Sequence, residues 1–158
     1  MADFIIIRGG QNSGKTTTTG LVYHELVQVA EKEHIFNSKT VTKDSLKYSS
    51  KGEIWDFTSI LTINGKKVGI VSAGDVAWQT KEQITILINI QVEVIICCAR
   101  SVNRRGSTYR MLLDDFSKTH RITLEVFTKF SDKNERKHDI KKPVVEQVVK
   151  ATLDCVYR

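Results

Sequence analysis

A glycine-rich segment that begins two residues after the first apolar run restricts the fold of this chain more than any other feature. The run Phe4 to Ile7 is succeeded by Gly9-Gly10-Gln11-Asn12-Ser13-Gly14-Lys15-Thr16, called the glycine loop below. Glycine adopts turn conformations that other residues avoid, so this loop is expected to turn tightly. Apolar side chains then recur at helical spacing. The sequence therefore predicts a strand at 3–8 and a helix at 15–32, with the glycine loop between them.

The composition of the glycine loop is that of a phosphate-binding segment. Glycines let backbone N–H groups approach a phosphate without a Cβ in the way, and a helix start presents free N–H groups and a positive dipole to an anion. The fixed positions of the pattern G-x-x-x-x-G-K-[ST] are all present, between a strand pattern and a helix pattern. On these residues the chain resembles the P-loop NTPases, the Walker A superfamily.

This resemblance implies a set of nucleotide-binding residues. Lys15 would place its charge near the β and γ phosphates, and the Thr16 hydroxyl would bind Mg²⁺. The nucleotide-binding residues that it implies are Gly9, Gly10, Gln11, Asn12, Ser13, Gly14, Lys15, Thr16 and Thr17. The implied ligands are ATP or ADP, with Mg²⁺ as cofactor. The alternative interpretation is a glycine turn that only happens to precede a helix.

The later apolar runs predict a single α/β domain over residues 1–158. Asn64-Gly65, the strongest two-residue hairpin signal, separates β-rich runs at 54–63 and 66–73. Further strands are predicted at 92–99 and 121–128, helices at 78–91, 106–118 and 143–157, and a long polar segment at 34–53, with Pro143 in the first turn of the last helix. We expect a three-layer α/β/α sandwich with a mostly parallel five-stranded sheet and one antiparallel edge hairpin strand. The resemblance implies the P-loop NTPase fold.

Asp75 is the candidate acid for binding Mg²⁺ or orienting a nucleophile. It ends the segment Val68-Gly69-Ile70-Val71-Ser72-Ala73-Gly74-Asp75, just past the strand, and Ser72 stands where many P-loop families have the acid. The alternative is that Asp75 caps a helix beginning near Val76, since Asp is a favoured capping residue. Gly74 suits either a backbone contact to a γ-phosphate or a plain turn.

Arginines follow the strand at 92–99 and form a second candidate segment. They are Arg100, Arg104, Arg105 and Arg110. The carboxyl ends of strands face the ligand in a doubly wound sheet. Nucleoside and nucleotide kinases place lid arginines in a comparable region, so Arg100 and Arg104 are candidate catalytic residues that neutralise a transferring phosphoryl group. The alternative is a solvated basic helix face.

The charge of the chain points to a different class of partner. The net charge is +6, and residues 100–142 hold twelve basic and six acidic side chains, whereas the rest of the chain is balanced. A basic face favours nucleic acid through its phosphates. No nucleic-acid fold motif or aromatic stacking platform accompanies that charge. Nucleic-acid binding therefore remains an alternative that depends on charge alone.

Two motif comparisons indicate which nucleotide is bound and which branch of the P-loop NTPases the chain does not resemble. The layout is similar to that of small GTPases, but Thr128-Lys129-Phe130-Ser131-Asp132 has its acid one residue too late for the guanine-reading N/T-K-x-D, which favours ATP. Gly10 stands where the partition and arsenite ATPases have a signature lysine, which argues against that branch. The size and the layout, which is like that of nucleotide kinases, resemble small bacterial and phage P-loop ATPases.

The sequence thus predicts a Mg-ATP-binding enzyme that hydrolyses ATP or transfers its γ-phosphoryl group. The alternatives are a kinase with a nucleoside, nucleotide or other small acceptor, a nucleotide-dependent switch, and a nucleic-acid-associated accessory ATPase. No run reaches the length of a membrane span and nothing resembles a signal peptide, so we expect a cytoplasmic protein without a membrane partner. Its three cysteines are expected to be reduced.

Overall fold

The apolar runs of the sequence build one sheet, against which the helices pack. The computed structural model describes residues 1–10, 14–35, 39–40, 56–128 and 137–158, with the backbone alone at 35, 39–40 and 137–140. These residues form strands β1 (Asp3–Arg8), β2 (Lys32–Ile35), β3 (Lys39–Thr40), β4 (Thr58–Ile63), β5 (Lys66–Val71), β6 (Val94–Ala99) and β7 (Arg121–Phe127), and helices α1 (Lys15–Val27), α2 (Ala77–Asn89), α3 (Thr108–Asp115) and α4 (Lys137–Val156).

The order of the strands determines which loops meet. The described strands form one sheet in the order β3-β2-β4-β5-β6-β1-β7. Strands β5, β6, β1 and β7 pair in parallel, whereas β2, β3 and β4 join through antiparallel pairings. The carboxyl ends of the four parallel strands therefore share one edge of the sheet, and β4 begins at that same edge because it runs in the opposite direction.

Alternating side chains of the central strand face two separate cores. Ile5 and Ile7 of β1 are fully buried in a cluster with α1 and α4, and Phe4 and Ile6 are buried in a cluster with α2 and α3. Successive side chains of a strand point to opposite faces, so an apolar strand needs a layer on each side. The fold class is α/β, with the sheet between two helical layers, as the sequence predicts.

The structure corrects the expected number of strands and the length of the first helix. The described sheet has seven strands instead of five. Helix α1 ends at Val27 instead of residue 32, because the backbone of Glu31 donates to Thr62 and the residues from Lys32 pair with β4. The hydrogen bonds that β2 makes with β4 therefore replace those of the predicted last helical turn.

The last helix also differs from its prediction. Helix α4 begins at Lys137, so Pro143 lies inside the helix instead of in its first turn. A proline there removes one backbone hydrogen bond. The spacing that buries Val145 and Val148 extends back to Lys141, which is buried as well. Buried positions on one face therefore continue the helix past the local signal of the proline.

Other expectations are confirmed or fall outside the described residues. Asn64 and Gly65 both have positive φ, at 52° and 73°, and join β4 to β5 in the predicted hairpin. Most of the polar segment predicted at 34–53, and residues 129–132 of the guanine-pattern test, lie outside the described residues. Within the described ranges, no helix is both long and apolar enough to cross a membrane.

Candidate functional site

The N-terminus of α1 faces the glycine loop without a side-chain cap. Gly14 occupies the N-cap position with φ 88°, a left-handed conformation that favours glycine. Glycine cannot accept a bond from the first-turn N–H groups, and that turn, which includes Thr16 and Thr17, holds no acidic residue. Free N–H groups and the helix dipole therefore give this position positive potential. Gln11, Asn12 and Ser13 lie outside the described residues.

The Lys15 side chain folds back over the loop that precedes it. Its ammonium donates to the carbonyl oxygens of Gly9 and Gly10, each at 3.0 Å, and only 7% of the residue is exposed. A buried ammonium is costly unless partners compensate it. The loop carbonyls and the nearby Asp75 carboxylate, 3.6 Å from Nζ, supply that compensation. The cation is therefore held at the point where the sequence analysis expects phosphates.

Asp75 joins Lys15 to the arginine segment. Its Oδ1 lies 3.4 Å from Nε of Arg100 as well as near Lys15. Helix α2 begins at Ala77 with Val76 as its N-cap, and no side chain caps it. The interpretation of Asp75 as a helix cap therefore finds no support in the geometry. The structure brings together three of the four predicted catalytic residues, Lys15, Asp75 and Arg100.

A second carboxylate that the sequence analysis missed belongs to the same site. The Thr16 hydroxyl donates to Oδ1 of Asp56 at 2.8 Å. Ser72, directly after β5, accepts a hydrogen bond from the backbone N–H of Phe57 at 2.7 Å and donates its own N–H to the Phe57 carbonyl. This clamp places Asp56 beside α1. Counting back along the antiparallel register from Asn64-Gly65 identifies the position, because Thr58 pairs with Val71.

Cys98, one of the two buried cysteines on β6, contacts helix α1. The Sγ atom of Cys98 lies 3.0 Å from the Thr19 hydroxyl of α1, and both residues are fully buried. Burial is the main reason why the pKa of the Cys98 thiol rises to about 12. Thr19 and Lys15 oppose the rise, whereas the charges of Asp56 and Asp75 add to it. The pKa of this thiol is therefore sensitive to the charges of Lys15, Asp56 and Asp75.

Gly74 has a packing role that explains why glycine is required there. A Cβ at this position would lie 2.2 Å from the carbonyl oxygen of Cys98, a distance that no real side chain tolerates. The turn before Asp75 thus passes against the end of β6. This close approach accounts for Gly74 without a phosphate contact, so a contact to a γ-phosphate stays a prediction.

Arg104 lies in a neighbouring cavity. Its backbone closes a turn with Ser107, which accepts the first-turn N–H of Arg110 and caps α3. The cavity of about 510 Å³ is lined by Ala77, Asn103, Arg104, Arg105, Gly106, Ser107, Arg110, Met111, Asp114 and Asp115. No described contact joins Arg104 to Lys15 or Asp75, so its catalytic role stays a prediction.

Arg8 braces the other side of the glycine loop. Its guanidinium stacks 3.4 Å from the ring centre of Tyr109 and donates to the Ser101 carbonyl at 2.6 Å. Glu125 of β7 lies 3.6 Å from this guanidinium and accepts a hydrogen bond from the Tyr109 hydroxyl at 2.6 Å. Arg8 directly precedes Gly9, so this network anchors the start of the loop to α3 and β7. The sequence signal that could have identified this role of Arg8 is an arginine at the end of an otherwise apolar strand.

The described residues contain no group of three or more His, Cys, Asp or Glu side chains able to hold a metal ion. Among the described residues, the Asp75 carboxylate lies near Lys15, and the Asp56 carboxylate accepts a hydrogen bond from the hydroxyl of Thr16. Mg²⁺ is commonly bound through one or two carboxylates together with water and substrate phosphates.

No protein-family model, curated protein or solved structure matches the chain.

Proposed function

We propose that this protein binds Mg-ATP at the glycine loop and hydrolyses it or transfers its γ-phosphoryl group. The observation that carries the proposal is the position of the buried Lys15 ammonium, beside the uncapped start of α1 and between two loop carbonyls and Asp75. A polyphosphate entering the loop would meet free N–H groups and would give Lys15 a stronger partner than the carbonyls.

The oxygen donors around Thr16 fit a magnesium ion. Thr16, Asp56 and Asp75 offer a hydroxyl and two carboxylates, which are hard oxygen ligands of the kind that Mg²⁺ prefers. When bound, the ion would neutralise charge on the phosphates. Arg100, already paired with Asp75 at 3.4 Å, is the group that we propose to neutralise charge developing on the transferred phosphoryl. ATP is preferred over GTP because of the displaced acid in the guanine pattern.

A titration with a matched lysine control tests the proposal. Lys15→Ala is expected to weaken Mg-ATP binding at least about tenfold and to abolish phosphate release, since a charged contact is lost. Lys118→Ala, which removes an exposed lysine in the turn before β7, should bind and turn over like the parent. Circular dichroism of each variant checks that the fold survives. Equal affinity of Lys15→Ala and parent would refute the assignment, and competition by GTP as strong as by ATP would refute the choice of base.

A kinase with a small acceptor is the second candidate, and the arginine-lined cavity favours it. Its volume of about 510 Å³ falls within the range of small-molecule sites. Arg104 and Arg105 are exposed there, whereas Arg110 is paired with Asp114 at 3.2 Å. Acceptors that carry a phosphate fit this cavity better than neutral ones.

Radiolabelled phosphoryl transfer to a panel of nucleosides and nucleoside monophosphates separates the candidates. A kinase would label one acceptor, and Arg104→Ala would raise the KM for that acceptor while the KM for ATP stays the same. Arg121→Ala, at the opposite edge of the sheet, serves as the arginine control. Release of inorganic phosphate with no acceptor labelled would support hydrolysis instead.

A further inference from the structure

Trp78 is a large aromatic side chain that the fold leaves on its surface. It lies in the first turn of α2, and its exposed fraction is 66%. The buried face of α2 carries Thr80, Ile84 and Leu87, and Trp78 lies on the opposite face of the helix. Tryptophan side chains are highly buried on average, so packing within the domain does not account for this one.

Two exposed valines extend this apolar surface along the same edge of the sheet. Val76, the N-cap residue of α2, and Val102, in the loop after β6, are each 42% exposed. The ion pair of Asp75 with Arg100, at 3.4 Å, joins the two loops that carry them. Single exposed apolar side chains are common, whereas a group of them on neighbouring loops indicates an interaction surface.

The cavity of about 510 Å³ beside Trp78 contains two arginines without partners. Ala77, the residue before Trp78, lines this cavity together with Arg104 and Arg105. Both arginines are exposed, and neither guanidinium makes a hydrogen bond or an ion pair with any residue that the structure describes. Like charges on adjacent residues favour an anionic ligand, because the anion reduces the repulsion between them.

The acidic residues of the same cavity do not neutralise these two arginines. Asp114 pairs with Arg110 of its own helix, and Asp115 pairs with Lys81 of α2, each at 3.2 Å. Each carboxylate therefore already has a cation of its own. The two unpartnered guanidinium groups complement phosphate, whose oxygens they can bind in pairs.

We propose that single-stranded nucleic acid binds across this surface, with a base stacked on Trp78 and phosphates at Arg104 and Arg105. Stacking on a side chain needs an open base face, which a single strand offers and a duplex does not. Trp78 is not part of the cavity lining, so a ligand that contacts both the ring and the arginines extends out of the cavity. A chain of nucleotides does so, whereas a mononucleotide inside the cavity does not.

The distribution of charge favours nucleic acid over an acidic segment of a protein. Residues 100–142 hold twelve basic and six acidic side chains, which suits a ligand with a charge on every unit. That segment lacks a stacking aromatic in the sequence, and the fold supplies one from α2. The inference goes beyond the proposed function, because this surface needs neither the glycine loop nor the hydrolysis of ATP.

Fluorescence anisotropy with a labelled oligothymidylate of about 12 nucleotides, in the absence of ATP, tests the proposal. Trp78→Ala and the double substitution Arg104→Ala/Arg105→Ala are each expected to weaken binding about tenfold or more. The matched controls are Tyr157→Ala and Arg121→Ala, which remove an exposed aromatic side chain and an exposed arginine at the opposite edge of the sheet. Both controls should bind like the parent.

Two further measurements separate stacking from charge. The slope of log Kd against log salt concentration should become shallower by about 0.7 for each arginine removed and should stay the same in Trp78→Ala. Trp78→Phe, which keeps an aromatic ring, should bind the oligothymidylate more tightly than Trp78→Ala. A duplex of the same length should bind the parent and Trp78→Ala equally. All substituted side chains are exposed, so each variant should keep the circular dichroism and Tm of the parent.

Several results would overturn this inference. Parental affinity of Trp78→Ala for the oligothymidylate, or equally tight binding of a polyglutamate of similar charge, would show that the surface recognises charge alone. Thymidine monophosphate that binds as tightly as the oligothymidylate would identify a mononucleotide site in the cavity. An equal loss of Mg-ATP affinity in Trp78→Ala would assign the ring to the ATP site. A parent that binds the oligothymidylate but not ATP would refute the proposed function and support this inference.

Discussion

Asp75 has two cationic neighbours, whereas Asp56 has a hydroxyl partner, so the two carboxylates are suited to different tasks. Asp75 Oδ1 lies within 3.6 Å of Lys15 and 3.4 Å of Arg100. Asp56 accepts the Thr16 hydroxyl at 2.8 Å. Thr16 and Asp56 together present hydroxyl and carboxylate oxygens on one side of the loop. We therefore propose that Asp56 is the carboxylate closest to the Mg²⁺ ion, and that Asp75, besides offering a carboxylate to the ion, holds Lys15 and Arg100 in place.

The expected effect of Asp56→Asn on the affinity for ATP depends on whether Mg²⁺ is present. With Mg²⁺, the variant should bind ATP about tenfold more weakly, because a charged metal ligand is lost. In EDTA it should bind ATP as well as the parent or better, since a negative charge near the phosphates is gone. Calorimetric titration in both buffers measures the two constants. Asp154→Asn, which breaks an exposed pair with Lys150, is the control, and a Mg²⁺-independent loss in Asp56→Asn would contradict the assignment.

The β4–β5 hairpin acts as the element that delivers Asp56 to α1. Its turn fixes the register, and the register sets Phe57 opposite Ser72. Two serines of this hairpin are buried, and they differ in their bonding. The Ser72 hydroxyl accepts the Phe57 N–H, whereas the Ser59 hydroxyl has no hydrogen-bond partner among the described residues.

This difference makes the two serines a matched pair. Ser72→Ala leaves a backbone N–H without its acceptor and should cost about 1–3 kcal/mol in the free energy of unfolding. It should also weaken Mg-ATP binding, because Asp56 loses its anchor. Ser59→Ala removes an unpaired hydroxyl and should leave stability unchanged or slightly raised. Urea unfolding and Mg-ATP titration of both variants check this, and equal effects at the two positions would exclude the clamp.

Strand β6 carries its thiols where solvent does not reach. Cys97 and Cys98 are fully buried and free, and burial raises the pKa of both thiols. A group whose pKa is raised by folding stabilises the native state below the unfolded pKa and loses that contribution as the pH rises. For Cys98 this contribution is lost as the pH rises from about 9, the ordinary pKa of the thiol, to about 12, its pKa in the folded protein.

When the pH rises from 8 to 10, the free energy of unfolding should therefore fall by about 1 kcal/mol less in Cys98→Ala than in the parent. Urea unfolding at both pH values measures this difference directly. Because the comparison is between two pH values within each protein, the cost of the cavity that alanine leaves cancels. An identical pH dependence in both proteins would show that Cys98 ionises as readily in the native state as in the unfolded chain.

At the scale of the whole molecule, local signals predicted the elements and failed where distant pairing decided. Strand β1 and helix α1 on either side of the glycine loop, the Asn64-Gly65 hairpin and the buried strand β6 follow from residues adjacent in the chain, and the structure has these elements. Strand β2 depends on pairing with β4, which no local pattern encodes. The hairpin register indicates where Asp56 lies along the sheet, but its contact with Thr16 of α1 is visible only in the fold. Lys141 reaches the glycine loop from a helix more than a hundred residues away in sequence, so this approach becomes visible only in the fold.

Ligand binding at an edge that joins β1, β5, β6 and α4 should stabilise the molecule as a unit. A ligand at one hundred times its Kd adds about 2.7 kcal/mol to the free energy of unfolding, which in a domain of this size raises Tm by roughly 5–10 °C. We therefore expect such a shift with Mg-ATP in calorimetric melts, and a single unfolding transition both with and without it. Lys15→Ala should melt near the parent without ligand and show little shift with it. A Tm shift of equal size in both proteins would show that the nucleotide binds away from the glycine loop. Lys15 is buried in that loop, so its substitution would leave binding at a different site unchanged.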